Sequence, residues 1–138
     1  MTLVDIEAGP FRLVGRLEEA LAPKTCAWFK AQLPYVERLI HVRWSGEGCW
    51  IPMGELNPDL PYENHTSFPA PGHMILYPGG ISETEILLAY GGVRFASKVG
   101  QLAGCHFLTV IEGVEHLPAV GKLTLWEGAQ PLRVALKA

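Results

Sequence analysis

Leu3-Val4-Asp5-Ile6-Glu7-Ala8-Gly9-Pro10-Phe11-Arg12-Leu13-Val14-Gly15-Arg16-Leu17 alternates on either side of a Gly-Pro break. Phe11, Leu13 and Leu17 fall on one face, and Arg12 and Arg16 on the other. A period of two marks a strand with one face buried. Gly9-Pro10 supplies a tight turn, so the stretch reads as a β-hairpin. The period then changes. Ala22, Cys26, Phe29 and Leu33 recur at helical spacing, Pro23 sits in a first turn that tolerates it, and Pro34 closes the helix.

Downstream, short strands are punctuated by 15 Gly and 11 Pro. Leu39 to Trp44 is expected as a strand, with Ile40, Val42 and Trp44 facing one way and His41, Arg43 and Ser45 the other. Gly46 and Gly48 lead to a strand holding Cys49, Trp50 and Ile51, and residues 54–72 form a long ordered excursion. Met74 to Tyr77, Glu85 to Tyr90, Val93 to Lys98 and Cys105 to Glu112 are further strands. A second helix is expected from Val114 to Trp126, with Leu117, Val120, Thr124 and Leu125 on one face, Pro118 in its first turn and Gly128 at its end. Leu132 to Leu136 returns to the sheet. Strands do not alternate one by one with helices, which excludes a doubly wound fold. The expectation is a mainly β single domain over residues 1–138, a closed β-barrel capped by two helices.

At 138 residues, the chain suffices for one domain burying about two-thirds of its unfolded surface. Hydrophobic residues at 49% and a mean hydropathy of +0.17 exclude disorder. Eleven basic against fourteen acidic side chains leave a net charge of −3. This carries neither a nucleic-acid footprint nor a polybasic membrane patch. Apolar runs stop short of the roughly 20 residues of a membrane helix, and Met1-Thr2-Leu3-Val4-Asp5 lacks the features of a signal peptide. Cys26, Cys49 and Cys105 are irregularly spaced, without a Cys-x-x-Cys pair, which points to reduced thiols in a cytoplasm and against a zinc ribbon.

Ala22-Pro23-Lys24-Thr25-Cys26-Ala27-Trp28-Phe29, preceded by Arg16-Leu17-Glu18-Glu19, resembles the first helix of cyclophilins. Arg43-Trp44-Ser45-Gly46-Glu47, Glu63-Asn64, Tyr77-Pro78-Gly79-Gly80-Ile81-Ser82-Glu83, Phe95-Ala96-Ser97-Lys98-Val99-Gly100 and Leu125-Trp126-Glu127-Gly128-Ala129 are similar to blocks of compact, uncharacterised microbial cyclophilin-like proteins. The resemblance implies a cyclophilin-like barrel without an assigned reaction. Cyclophilin catalysis uses a Phe-His-Arg strand beside a Gln-Gly-Gly loop. Here Ile40-His41-Val42-Arg43 is one residue longer, which turns a strand side chain to the opposite face, and Gln-Gly-Gly is absent.

Several polar groups are candidates for chemistry. His41 and Arg43 are read as sharing a strand face with Glu47 just beyond; a guanidinium grips carboxylate or phosphate with two parallel bonds. The structural alternative pairs Arg43 with Glu47 or Glu63. Glu63-Asn64-His65-Thr66-Ser67 is a dense polar cluster, either a locally bonded loop or a ligand contact. Tyr77 and Glu83 bracket paired glycines that let backbone approach a guest, while Glu83 and Glu85 are placed to pair with Arg94 or Lys98. Cys49 is the one thiol read as a candidate nucleophile, activated by His41 or His65; Cys26 and Cys105 are assigned to the core. His41, His65, His73, His106 and His116 show no metal-ligand spacing, so neither metal nor cofactor is expected.

Together these predict a polar cleft formed by Arg43, Glu47, Glu63, His65 and Tyr77, with His41, Cys49, Asn64 and Glu83 as further candidates. It would bind or process a small polar, anionic metabolite. The alternative is a peptide- or proline-binding module, or a degenerate prolyl isomerase, which would use an aromatic-lined groove on the barrel's outer face. A third reading is a structural subunit of a homo-oligomer.

Overall fold

The opening alternation folds as β1 (Leu3–Ala8) and β2 (Phe11–Leu17) in a computed structural model that describes all 138 residues. The chain continues through α1 (Pro23–Lys30), β3 (Tyr35–His41), β4 (Gly46–Pro52), β5 (His65–Thr66), β6 (His73–Tyr77) and β7 (Glu85–Val93). It ends with β8 (Ala96–Ser97), β9 (Gly100–Gln101), β10 (Gly104–Glu112), α2 (Leu117–Glu127) and β11 (Gln130–Leu136). Eight strands pair antiparallel in the order β2-β1-β11-β3-β4-β7-β6-β10, and β10 pairs back onto β2. The result is a closed barrel; β5 adds to β10 and β8–β9 form a separate hairpin.

Inward residues fill the barrel, among them Val4, Ile6, Leu13, Leu39, Ile51, Leu76, Ile86 and Leu88. Phe107 and Leu108 are adjacent in sequence, yet both are buried in this core. A register shift between His106 and Leu108 in the pairing with β6 interrupts the alternation there. α1 packs at the end where β2 finishes, with Phe29 against Tyr35 and Phe107 at centroid distances of 5.2 and 5.0 Å. α2 lies at the opposite end, where Leu123 approaches Gly9 of the β1–β2 turn. Pro118 opens α2 and Gly128 ends it. A second, smaller core lies on the outer face of β4, β7 and β6, where Phe95 and Leu102, flanking the β8–β9 hairpin, cover Val42, Ile75, Tyr77, Leu87 and Ala89.

Three local expectations are corrected. The strand expected to end at Trp44 runs from Tyr35 to His41, and Arg43–Ser45 form a single 3-10 turn. Gly46, at φ +109, forces this break; a Cβ there would lie 2.6 Å from the Gly92 carbonyl oxygen. Arg43 therefore does not share a strand face with His41. α1 ends at Lys30, before Leu33 and Pro34. The strand expected over Val93 to Lys98 splits into the end of β7 and the two-residue β8.

Candidate functional site

Outward-facing side chains of β4 and β7 make the floor of a groove of about 1070 Å3 on the outside of the barrel. Trp50 and Glu85 lie on this floor; Trp44, the 54–57 segment, the 78–84 loop and Ser97–Val99 form the walls. Each wall has a local cause. The 3-10 turn presents Trp44, 58% exposed, edge-on to Trp50 at 5.6 Å. Buried Ser45 fixes that turn, donating from Oγ to the Ala96 carbonyl (3.0 Å) and accepting from the Ala96 N–H (3.2 Å).

The 78–84 loop is pinned from beneath. The Tyr77 hydroxyl accepts from the amides of Ile81 and Ser82 at 3.1 and 3.2 Å. Gly79 adopts φ +90, and a Cβ there would lie 2.6 Å from Thr84 Oγ1. Thr84 in turn ties the 54–57 segment in place: its hydroxyl donates to Leu56 O, and its amide donates to Gly54 O at 2.9 Å.

Glu85 is the exceptional group. It is only 4% exposed, lines the groove, and none of the five ion pairs in the protein includes it. Burial pushes its carboxyl up to about 7, and the Glu83 charge adds to the rise. The Trp50 indole N–H faces this carboxyl closely enough to oppose the shift. Its geometry falls short of a hydrogen bond, so the buried Nε1 has no partner. A carboxyl held between its two protonation states in a cleft, beside an unsatisfied donor, is suited to accept a proton or an N–H from a guest.

The sequence candidates separate into three places. His41, Glu47 and Cys49 gather at the α2 end of the barrel, with Arg43 nearby. His41 Nε2 lies 2.6 Å from the Tyr90 hydroxyl, and its buried Nδ1 has no partner. Burial, then the Arg43 charge, pushes the His41 imidazole below its ordinary range, while Glu47 opposes this. Glu47 accepts from the Gly92 amide at 2.9 Å, and exposed Arg43 forms no ion pair. Cys49 is fully buried with Sγ 3.4 Å from Thr124 Oγ1, and burial pushes its thiol up to about 11, opposite to an activated nucleophile.

Glu63, Asn64 and His65 lie elsewhere, against β10 and α1. Glu63 Oε1 accepts from the Thr25 amide in the first turn of α1 at 2.6 Å, a capping role that fits the helix dipole. Asn64 donates to His106 O at 2.9 Å, and exposed His65 stands edge-on to Tyr62. Tyr77 and Glu83 belong to the groove, Tyr77 beneath it and Glu83 on its wall. The chain thus does not assemble Arg43, Glu47, Glu63, His65 and Tyr77 into one cleft. Glu85, Trp44 and Trp50 are the groove residues missed by the sequence reading. The available signal was a glutamate heading the apolar run Ile86-Leu87-Leu88-Ala89.

Comparison with known proteins supports the architecture. The structure of McbB in complex with tryptophan superposes with a TM-score of 0.73 at 16% identity, covering 98% of this chain and 45% of that one. This chain therefore spans under half of the McbB chain. The solution structure of the hypothetical protein AF2241 from Archaeoglobus fulgidus gives a TM-score of 0.60 at 14% identity, covering 99% and 95% of the two chains. No curated protein matches the sequence. Residues 4–136 match the family described as a protein of unknown function (DUF3830), and the chain belongs to that family.

Proposed function

We propose that this protein binds a small molecule in the outer-face groove, with the flat part of the ligand against Trp44 and Trp50 and a hydrogen-bond donor on Glu85. The supporting observation is Glu85 itself. A nearly buried carboxyl with no cation beside it lowers stability, and such groups persist where a ligand uses them. The groove is lined by Glu55, Glu83 and Glu85 against Lys98 alone, so its charge favours a neutral or cationic guest over the anionic metabolite suggested by the sequence. The cyclophilin-like kinship and a cytoplasmic location remain part of this proposal, the first supported by a barrel with a helix at each end.

The test is a thermal-shift screen of purified protein against aromatic amines, amides and acids. A ligand at 100 times its Kd adds about 2.7 kcal/mol of stability, which a melt resolves. Hits should vanish in Trp44→Ala and weaken in Glu85→Gln, with both variants folded. Hits that survive both substitutions would overturn the assignment. One observation favours a second reading: the groove is open along the outer face and carries two tryptophans, as a peptide- or proline-binding surface would. Saturable binding of proline-containing peptides, competed by the screen's hits, would select it.

A further inference from the structure

We infer that the groove selects organic cations: a protonated amine or amidine carried on a flat apolar body, its charge on the Glu85 carboxylate and its ring against Trp44 and Trp50. This rests on the groove reading above and names its ligand class. Three features converge. Glu85 is only 4% exposed, lines the groove and takes part in no ion pair. The groups around it are mostly of one sign or polar: Glu83 from the 78–84 loop, Glu55 from the opposite wall, Tyr77 across the β6–β7 register and Trp50 from β4, with Lys98 on the hairpin wall the exception. Floor and wall add two indole rings, Trp50 and Trp44, in an edge-on pair whose faces attract a cation electrostatically. A carboxylate guest would face like charges, and a neutral guest would bring no positive charge to meet the carboxylate form of Glu85.

The chemistry is an exchange of one proton. With its carboxyl raised to about 7, Glu85 is divided between acid and carboxylate at neutral pH. A cation arriving with its own proton binds the carboxylate, and the acid form releases its proton to the buffer. No bond of the ligand changes. Competition between proton and ligand makes apparent affinity about tenfold weaker at pH 6 than at pH 8.

The experiment uses the intact protein and three isosteres: naphthalene-2-carboxamidine, -carboxamide and -carboxylate. Titration calorimetry is run in two buffers of different ionisation enthalpy at pH 6, 7 and 8. The amidine should bind at least tenfold more tightly than the amide and carboxylate, with a buffer-dependent heat showing proton release that grows from pH 8 to pH 6. Glu85→Gln, checked for folding by circular dichroism, should abolish the proton release and lower amidine affinity at least tenfold, with a smaller loss for the amide. If the amide and carboxylate bind as tightly as the amidine and all three are lost in Trp44→Ala, the cation inference is overturned and the groove reading stands. Amidine binding without proton release overturns the inference, as does no binding by any of the three. In that last case, the broader thermal screen judges the groove separately.

Discussion

Gly121→Ala tests the packing of α2 because helix propensity and contact geometry have opposite signs there. By propensity, alanine in a helix interior gains about 1 kcal/mol over glycine. Gly121, however, is buried against Tyr90, and a Cβ there would overlap ring atoms Cδ1, Cε1 and Cζ. The ring is not free to swing away. Its hydroxyl lies 2.6 Å from His41 Nε2, and the two rings meet at 63° and 5.5 Å. Overpacking costs about 1–3 kcal/mol, and displacing the ring forfeits a hydrogen bond worth about 1 kcal/mol. The net expectation is a loss of about 2 kcal/mol, a fall of several degrees in Tm. Urea unfolding followed by circular dichroism measures it, with the m-value checked for two-state behaviour. In a Tyr90→Ala background, the obstruction is gone, and the same Gly121→Ala change should become neutral or stabilising. A Gly121→Ala variant more stable than the parent would refute this account of the α2 contact.

Four further outcomes are expected. Glu63→Gln should cost about 1 kcal/mol in urea unfolding by removing the charged acceptor of the Thr25 amide, with groove ligands unaffected. His106 stacks on His73 at 3.9 Å, and burial followed by the His73 charge pushes its imidazole down to about 4. Its folded pKa lies below the ordinary 6.5, so the unfolded chain takes up more protons; stability should fall as pH drops from 7 towards 4.5, by an amount on the order of 2 kcal/mol, and less in His106→Gln. For Glu85 the sign reverses: a folded carboxyl raised from 4.5 to about 7 loses stability as pH rises through that window, so Glu85→Gln should melt higher than the parent at pH 8, by an amount on the order of 1–3 kcal/mol. Finally, Cys26, Cys49 and Cys105 are all fully buried, so a thiol-reactive chromophore should label none of them in the native protein and all three after unfolding.

The fold was legible wherever the local signal agreed with the global one. β1 alternates cleanly into the Gly9-Pro10 turn, and Pro118 and Gly128 bracket α2 with residues suited to its ends. The start of β3 escaped because Val36, Glu37, Arg38 and Ile40 are all exposed, leaving Tyr35 and Leu39 as its buried residues. The break before Trp44 depends on the close approach of Gly46 to Gly92, a contact between residues far apart in sequence. β5, β8 and β9 are two residues each, too short to have a period.

The site was less legible, for a specific reason. Glu85 reads in the sequence as a strand-face residue placed to pair with Arg94 or Lys98, and neither pair forms. The sequence does not announce that the outer face is itself covered by Phe95 and Leu102. Glu85 lies on that outer face at 4% exposure, with the 54–57 segment and the 78–84 loop walling the groove around it. Likewise, Tyr77 lies beside the groove loop in sequence as in space, yet its ring goes under the loop to hold it, whereas Arg43 and Trp44, adjacent in the chain, face different surroundings.

The β1–β11 pairing sets Val4 opposite Leu136, and the Lys137 amide donates to Leu3 O at 3.0 Å, so the two ends of the chain leave the barrel side by side. A module with neighbouring entry and exit points can be spliced into a loop of a host protein without pulling any strand apart, and its own β1–β2 turn can be reopened as new termini once the old ones are tethered. The barrel is therefore portable, and a short linker joining Leu136 to Leu3 should yield a circular permutant that retains the groove.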